Sequence, residues 1–296
     1  MAKKASPVRK AVKKVSDQQV VISDQTIVRV RELAWTGQHA PAINLATQAL
    51  SAPKIKSADQ MDLLDLRAES YIAQGKLELA FKDAKAMGKL AKTAALKAQA
   101  LNRLALVQMR MSGDLKQATK TVARALKFAR ISKQKMLEAQ SLFCLSQVQI
   151  RNEDSVNSAQ QAVNIFRALG NASGEGRAQV VISIDNFYLG HAKESMQAAQ
   201  AALVLCRKVG DLHGIGEAYR ALSYADVDLS ACIQHCHQAI QAYVAAGYVE
   251  RQLAANQDLA VFYRQLGLYY RSHTLLERTS ELCRRMAAQA GLVYAL

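Results

Sequence analysis

Proline is nearly missing from this chain, with three residues in 296, and there are only fourteen glycines. So few breakers leave little material for long linkers and argue against two domains joined by a hinge. Long apolar runs are also missing. None approaches the roughly 20 residues a helix needs to span a bilayer, and no apolar segment follows the basic amino terminus as a secretory leader requires. Cysteine is sparse and odd in number, five residues spread along the chain. That excludes a disulfide framework and points to reduced thiols in a cytoplasmic setting. Aromatic residues make up 6%, with a single tryptophan, and strand-like alternation is almost absent. There is no glycine-rich loop after a strand, no nucleophile elbow and no paired zinc-ligand helix motif. The expectation is a non-enzyme that carries no cofactor and no metal.

What remains is helix-forming material: half the residues are hydrophobic, and alanine, leucine, glutamine and lysine are abundant. The stretch from Gly174 to Gly210 reads as two amphipathic helices. The first spans about Arg177 to Tyr188, with a turn at Leu189-Gly190. The second carries Ser195, Ala199 and Ala202, small residues at i, i+4 and i+7 that let a neighbouring helix approach closely. The triplet recurs as Ala42/Ala46/Ala49, Ala80/Ala84/Met87, Ala118/Val122/Ala125, Ser155/Ala159/Ala162, Cys232/Cys236/Ala239 and Ser272/Leu276/Thr279. A glycine stands five residues ahead of the triplet at Gly37, Gly75, Gly113, Gly190 and Gly267; Ile150 and Val227 take that place elsewhere. A steady period of this length marks a helical solenoid.

These residues resemble the tetratricopeptide repeat. The glycine, the small triplet and an apolar or aromatic residue four before the glycine (Leu33, Tyr71, Met109, Tyr263) all fit, from about Asp24 to Ala290. The departures are Ile150 in place of a glycine in unit four and bulky Leu276 in unit seven. The resemblance implies an all-α, right-handed superhelical solenoid of about seven helix-turn-helix repeats over residues 17–296. First helices would line a concave groove and second helices the convex outside. Repeats that contact only their neighbours would make an elongated particle. The long period and the strings ALGNASGEGRA and KVGDLHGIGEAY look like an extended subtype found in bacterial regulators. That implies a protein-binding or sensory scaffold, or the regulatory front of a longer signalling protein such as a nucleotide cyclase or transcription activator.

Charge is uneven along the chain. Residues 1–16 hold six basic side chains and no acid, and read as a disordered arm, either a tether to an anionic surface or a solubilising tail. Residues 76–135 carry fifteen basic side chains against three acidic ones, while the rest of the array is near neutral. Helical spacing puts Lys85 and Lys89 in unit two, and Lys116, Lys120, Arg124 and Lys127 in unit three, on the outer face. They form either a solvated face or a site for a polyanion or acidic surface, which keeps a nucleic-acid-associated module as the alternative function. No reading-head motif supports sequence-specific DNA recognition.

For the groove, Asp62, Asp65 and Glu69 form a stripe on the first helix of unit two, and Arg103 and Arg110 lie seven apart on that of unit three. These stripes would face each other as a salt-bridge network or as a bipolar site for a charged peptide. Phe187, Tyr188, Tyr224 and Arg264 point into or beside the groove further on, as core filling or as a wall for a partner protein or peptide segment. The carboxylate clamp of some family members needs Lys and Asn where this chain has Val180, Ile184, Glu217 and Ala221, so that chemistry is not carried over. Trp35 reads as a cap over the end of the core, or as a ligand-stacking ring. Cys232, His235 and Cys236 lie near enough on one helix to offer three metal ligands, but the two cysteines occupy small-residue positions and read as buried hydrophobes. The apolar string Gly291–Leu296 resembles the start of another first helix. It implies either that the chain continues or that this end pairs with a second copy as a homodimer.

Overall fold

The computed structural model describes residues 24–52, 55–112 and 115–285. The basic arm, Gly113 and the string from Gly291 lie outside them. The described residues form fourteen helices and no strand: α1 (Asp24–Trp35), α2 (His39–Leu50), α3 (Ser57–Ala73), α4 (Leu77–Leu90), α5 (Ala94–Ser112), α6 (Leu115–Ser132), α7 (Lys135–Gln149), α8 (Glu153–Ala168), α9 (Ala172–Leu189), α10 (Ala192–Val209), α11 (Leu212–Ala225), α12 (Leu229–Ala245), α13 (Val249–Gln265) and α14 (Tyr269–Arg285). They pair in order as seven antiparallel hairpins.

The small triplets explain the pairing. Every member is buried except bulky Leu276. Small side chains on the even helices let the odd helix of the same hairpin approach closely, so the core runs on from repeat to repeat. The turns follow from the glycines. In the first hairpin Gly37 has φ +77° and the amide of Gln38 donates to the Leu33 carbonyl at 2.8 Å, which closes the helix with a left-handed cap. The same bond runs from Lys76 to Tyr71, from His191 to Asn186 and from Leu268 to Tyr263. Unit four lacks the glycine, and the left-handed residue moves to Arg151 (φ +59°), whose amide donates to Asp185 Oδ1 at 2.8 Å.

Helix α9 starts at Ala172, earlier than the sequence reading placed it. Asn171 caps it by accepting from the Gly174 amide at 2.9 Å. Gly174 and Gly176 thus sit inside a helix, where they act as close-approach residues. A β-carbon at Gly174 would stand 2.7 Å from the Phe166 ring, and one at Gly176 2.6 Å from Cys206 Sγ.

The expectation of an elongated array whose repeats touch only their neighbours is corrected. Rotation accumulates from repeat to repeat, and after six repeats the α12–α13 turn comes back against the α1–α2 turn. Gly37 and Gly247 meet there backbone to backbone: a β-carbon on Gly247 would stand 2.4 Å from the Gly37 carbonyl oxygen. His39, buried beside them, donates from Nε2 to the Ala246 carbonyl at 3.0 Å, and its Nδ1 lies 3.2 Å from Ser70 Oγ on α3. The next residue, Tyr248, is held edge-on by His39 and stacked face-to-face on His213 at 3.9 Å, with its hydroxyl donating to Glu69 at 3.2 Å. One turn of superhelix therefore closes on itself around the groove.

Candidate functional site

Odd helices run side by side along the inside of the superhelix, so residues about one repeat apart become neighbours. Oppositely charged residues occupy those places. Arg103 on α5 donates to Asp65 on α3 at 2.6 Å and reaches Glu69 at 3.4 Å. Arg177 on α9 holds Asp211 with two bonds, at 2.7 and 2.8 Å. Arg251 on α13 lies 2.9 Å from Glu217 on α11, and Arg220 donates to Asp258 at 2.6 Å. The closure adds a pair that no repeat rule supplies, Arg110 on α5 with Glu250 on α13.

The two stripes expected to face one another do so in part. Asp65 and Glu69 take Arg103, whereas Asp62 receives Gln99 at 3.3 Å. Arg110 turns from that stripe to Glu250, because the returning α13 brings a carboxylate against it. Arg177, Asp211, His213, Arg220, Tyr248 and Arg251 were not singled out from sequence as groove residues. The within-groove pairs had a signal: Asp65–Arg103 and Arg220–Asp258 are 38 residues apart, and Arg177–Asp211 is 34 apart, one repeat give or take a helical turn.

These side chains enclose a cavity of about 320 Å³ whose lining mixes Glu69, Arg103, Arg177, His213, Glu217 and Tyr248 with Leu106, Met109, Phe143, Val181 and Ile184. A second cavity of about 280 Å³ adjoins it and shares Glu69, Arg103, Leu106, Phe143, Gln147 and Arg177. On its wall the carboxamide of Asn102 has both its oxygen and its nitrogen buried, with no hydrogen-bond partner among the described residues.

The electrostatics follow from burial and pairing. Burial disfavours the charge on each carboxylate, but the arginines outweigh it. Arg103 and Arg177 hold Glu69 below the ordinary carboxylate range, Arg177 holds Asp211 far below it, Arg251 and His213 do the same for Glu217, and Arg110 with Arg251 lowers Glu250. Burial, reinforced by the like charge of Arg251, weakens the hold of Arg110 on its proton. His213 and His39 are pushed below 6.5, chiefly by burial.

Stability should therefore decline on acidification in two stages. Below 6.5 the unfolded chain takes up protons on these two imidazoles that the folded chain resists, so the fold loses free energy first there. The carboxylate contribution is fully present above 4.5 and is lost as pH falls through the depressed values of Glu69, Asp211, Glu217 and Glu250. Asp185, raised by burial, acts in the opposite sense, but it is one group against four. Urea titrations between about pH 3 and 8 would check this; a fold that gained stability on going from neutral to mildly acid pH would contradict it.

The other sequence-marked residues lie elsewhere. Phe187 and Tyr224 stack at 5.7 Å, with Tyr188 edge-on to Phe187, at the carboxyl ends of α9 and α11. Phe187 and Tyr188 are exposed, and Arg151 sits 4.0 Å over the Tyr188 ring. This aromatic rim lies outside the lining of the two cavities. Arg264 is exposed near the end of α13. Trp35 has its ring half exposed beside a narrow cavity shared with Tyr248 and His213, instead of covering the end of the core. Lys85, Lys89, Lys116, Lys120, Arg124 and Lys127 are all exposed on α4 and α6. Cys232 and Cys236 are buried free thiols, and burial pushes Cys236 up to about 12.

No protein-family model matches the chain, and no curated protein matches it in sequence. Solved structures do match. A Rap protein complexed with competence and sporulation factor aligns over 92% of this chain and 79% of its own, with a TM-score of 0.69 and 14% identity. NprR in complex with its cognate peptide NprX covers 92% and 82%, with a TM-score of 0.61 and 9% identity. The Rap conjugation gene regulator of the plasmid pLS20 in complex with the Phr* peptide covers 92% and 81%, at 0.62 and 14%. At such identities the likeness is one of fold, a tetratricopeptide-like helical-repeat solenoid. Among the described residues no helix is long and apolar enough to cross a membrane.

Proposed function

We propose that this tetratricopeptide-like solenoid is a non-catalytic scaffold that binds an extended peptide or partner segment in the enclosed groove. The observation that carries the reading is the Asn102 carboxamide, a buried donor and acceptor with no partner among the described residues, on the wall of a cavity that continues into the charged centre. A buried amide left unpaired costs about 1–3 kcal/mol, a cost that a ligand pairing with it would recover. A peptide unit supplies the N–H and C=O that would satisfy both ends of that side chain, while Leu106 and Phe143 receive apolar side chains and the arginines and carboxylates receive charged ones. The three solved structures above, each with a bound peptide or factor named with it, support the same reading. A regulatory role within a larger signalling protein extends it.

Asn102→Leu separates this role from a structural one. Removing the unpaired amide should leave the free chain as stable or up to about 2 kcal/mol more stable in denaturant unfolding. The same change should weaken, by about tenfold or more, peptides selected against the wild type from a random short-peptide library. A variant that binds those peptides unchanged would place the peptide site outside this groove.

A further inference from the structure

A further recess shares no lining residue with the two groove cavities. Between α4 and the α5–α6 hairpin lies a cavity of about 390 Å³, floored by Leu101, Leu104 and Phe128 and rimmed by Lys85, Lys97 and Arg124. None of the three cations has an ion-pair partner among the described residues. Lys97 sits 5.4 Å over the ring of Phe128, which keeps its charge close to the recess, while Lys85 rests 4.3 Å from the ring of Phe81, which lies outside the lining. The segment 76–135 carries an excess of twelve positive charges, of which Arg103 and Arg110 face the groove.

Gly88 forms part of the wall. Gly88 stands exposed in the last turn of α4, where neither a left-handed backbone nor close packing accounts for it. A β-carbon at this position would meet nothing within 4 Å. What the missing side chain leaves is an open recess. A merely solvated basic face needs no such opening, and a phosphate backbone would gain nothing from an apolar floor.

We propose that this recess docks an acidic protein segment. One apolar or aromatic side chain seats on Leu101, Leu104 and Phe128, and flanking carboxylates meet Lys85, Lys97 and Arg124. The seated side chain supplies most of the affinity, and the charges supply orientation and fast encounter.

The test uses the whole chain and four fluorescent probes. They are a glutamate-rich peptide with a central tryptophan, the same peptide with serine in its place, polyglutamate of equal charge, and a short DNA duplex. The tryptophan peptide should bind about tenfold tighter than its serine counterpart. Gly88→Phe, which fills the recess from a position with free space, should erase that margin, and Gly88→Ala should largely keep it. Lys85→Glu with Arg124→Glu should abolish binding of every peptide. Circular dichroism checks that each variant stays folded. The proposal is overturned if all four probes bind alike and ignore Gly88→Phe, which would make this a general polyanion face. It is overturned equally if none of them binds.

Discussion

Asp211→Ala is expected to lower the free energy of unfolding by about 3–5 kcal/mol, the usual penalty for orphaning one partner of a buried ion pair. The Asp211 side chain is 2% exposed and accepts four hydrogen bonds: two from Arg177, one from Ser173 Oγ at 2.5 Å and one from the Gly214 amide at 2.9 Å. It thus joins α9 to α11 and also caps the amino end of α11, a contribution of about 1 kcal/mol by itself. With the carboxylate gone, the Arg177 cation stays in the groove with Glu69 as the remaining carboxylate near it, and Glu69 is already shared with Arg103. Asp211→Asn keeps the cap acceptor and should lose less. Urea unfolding of the two variants beside the wild type decides the matter, and a loss below about 1 kcal/mol for Asp211→Ala would mean that the pair is effectively solvated.

The second large effect concerns shape. Gly247→Ala and Gly190→Ala both put a β-carbon on a left-handed residue, at φ +66° and +84°, and each should cost about 1–2 kcal/mol of local strain. Only the first also drives an atom to 2.4 Å from the Gly37 carbonyl; at Gly190 nothing lies within 4 Å. Gly247→Ala should therefore pry the two turns apart, free Tyr248 from its place between His39 and His213, and raise the radius of gyration in small-angle scattering with helix content unchanged. Gly190→Ala should leave the scattering curve as it was. Identical curves for both variants would mean that the returning turn does not hold the superhelix closed.

Much of the fold was legible because it is local and repeated. The triplet Ser195/Ala199/Ala202 and its counterparts mark the buried stripe of each even helix, and the glycines mark the turns where a left-handed residue closes the odd helix. The pairing of Asp65 and Glu69 with Arg103 was within reach for the same reason, since neighbouring odd helices bring residues one repeat apart into contact. Arg110 shows where that logic stops. Its partner Glu250 lies 140 residues away and meets it only because small rotations, summed over the array, return α13 to α5. Tyr248 and His39 escape sequence reasoning likewise, for nothing local tells a tyrosine after a turn glycine that a histidine 209 positions earlier awaits it. The aromatics Phe187, Tyr188 and Tyr224 lie outside the lining of the two cavities. Phe187 and Tyr188 close their helix end on the rim, since the last turn of α9 carries them past the cavity that Val180, Val181 and Ile184 line.

The central claim is that a peptide occupies the enclosed groove. Gln147 borders both cavities, whereas Val204 on α10 is 68% exposed outside their lining. A photo-crosslinking residue at position 147, irradiated in cells of the native host, should yield a covalent peptide adduct visible by mass spectrometry of the purified chain, and the same residue at position 204 should not. An adduct at 204 with none at 147 would contradict the account.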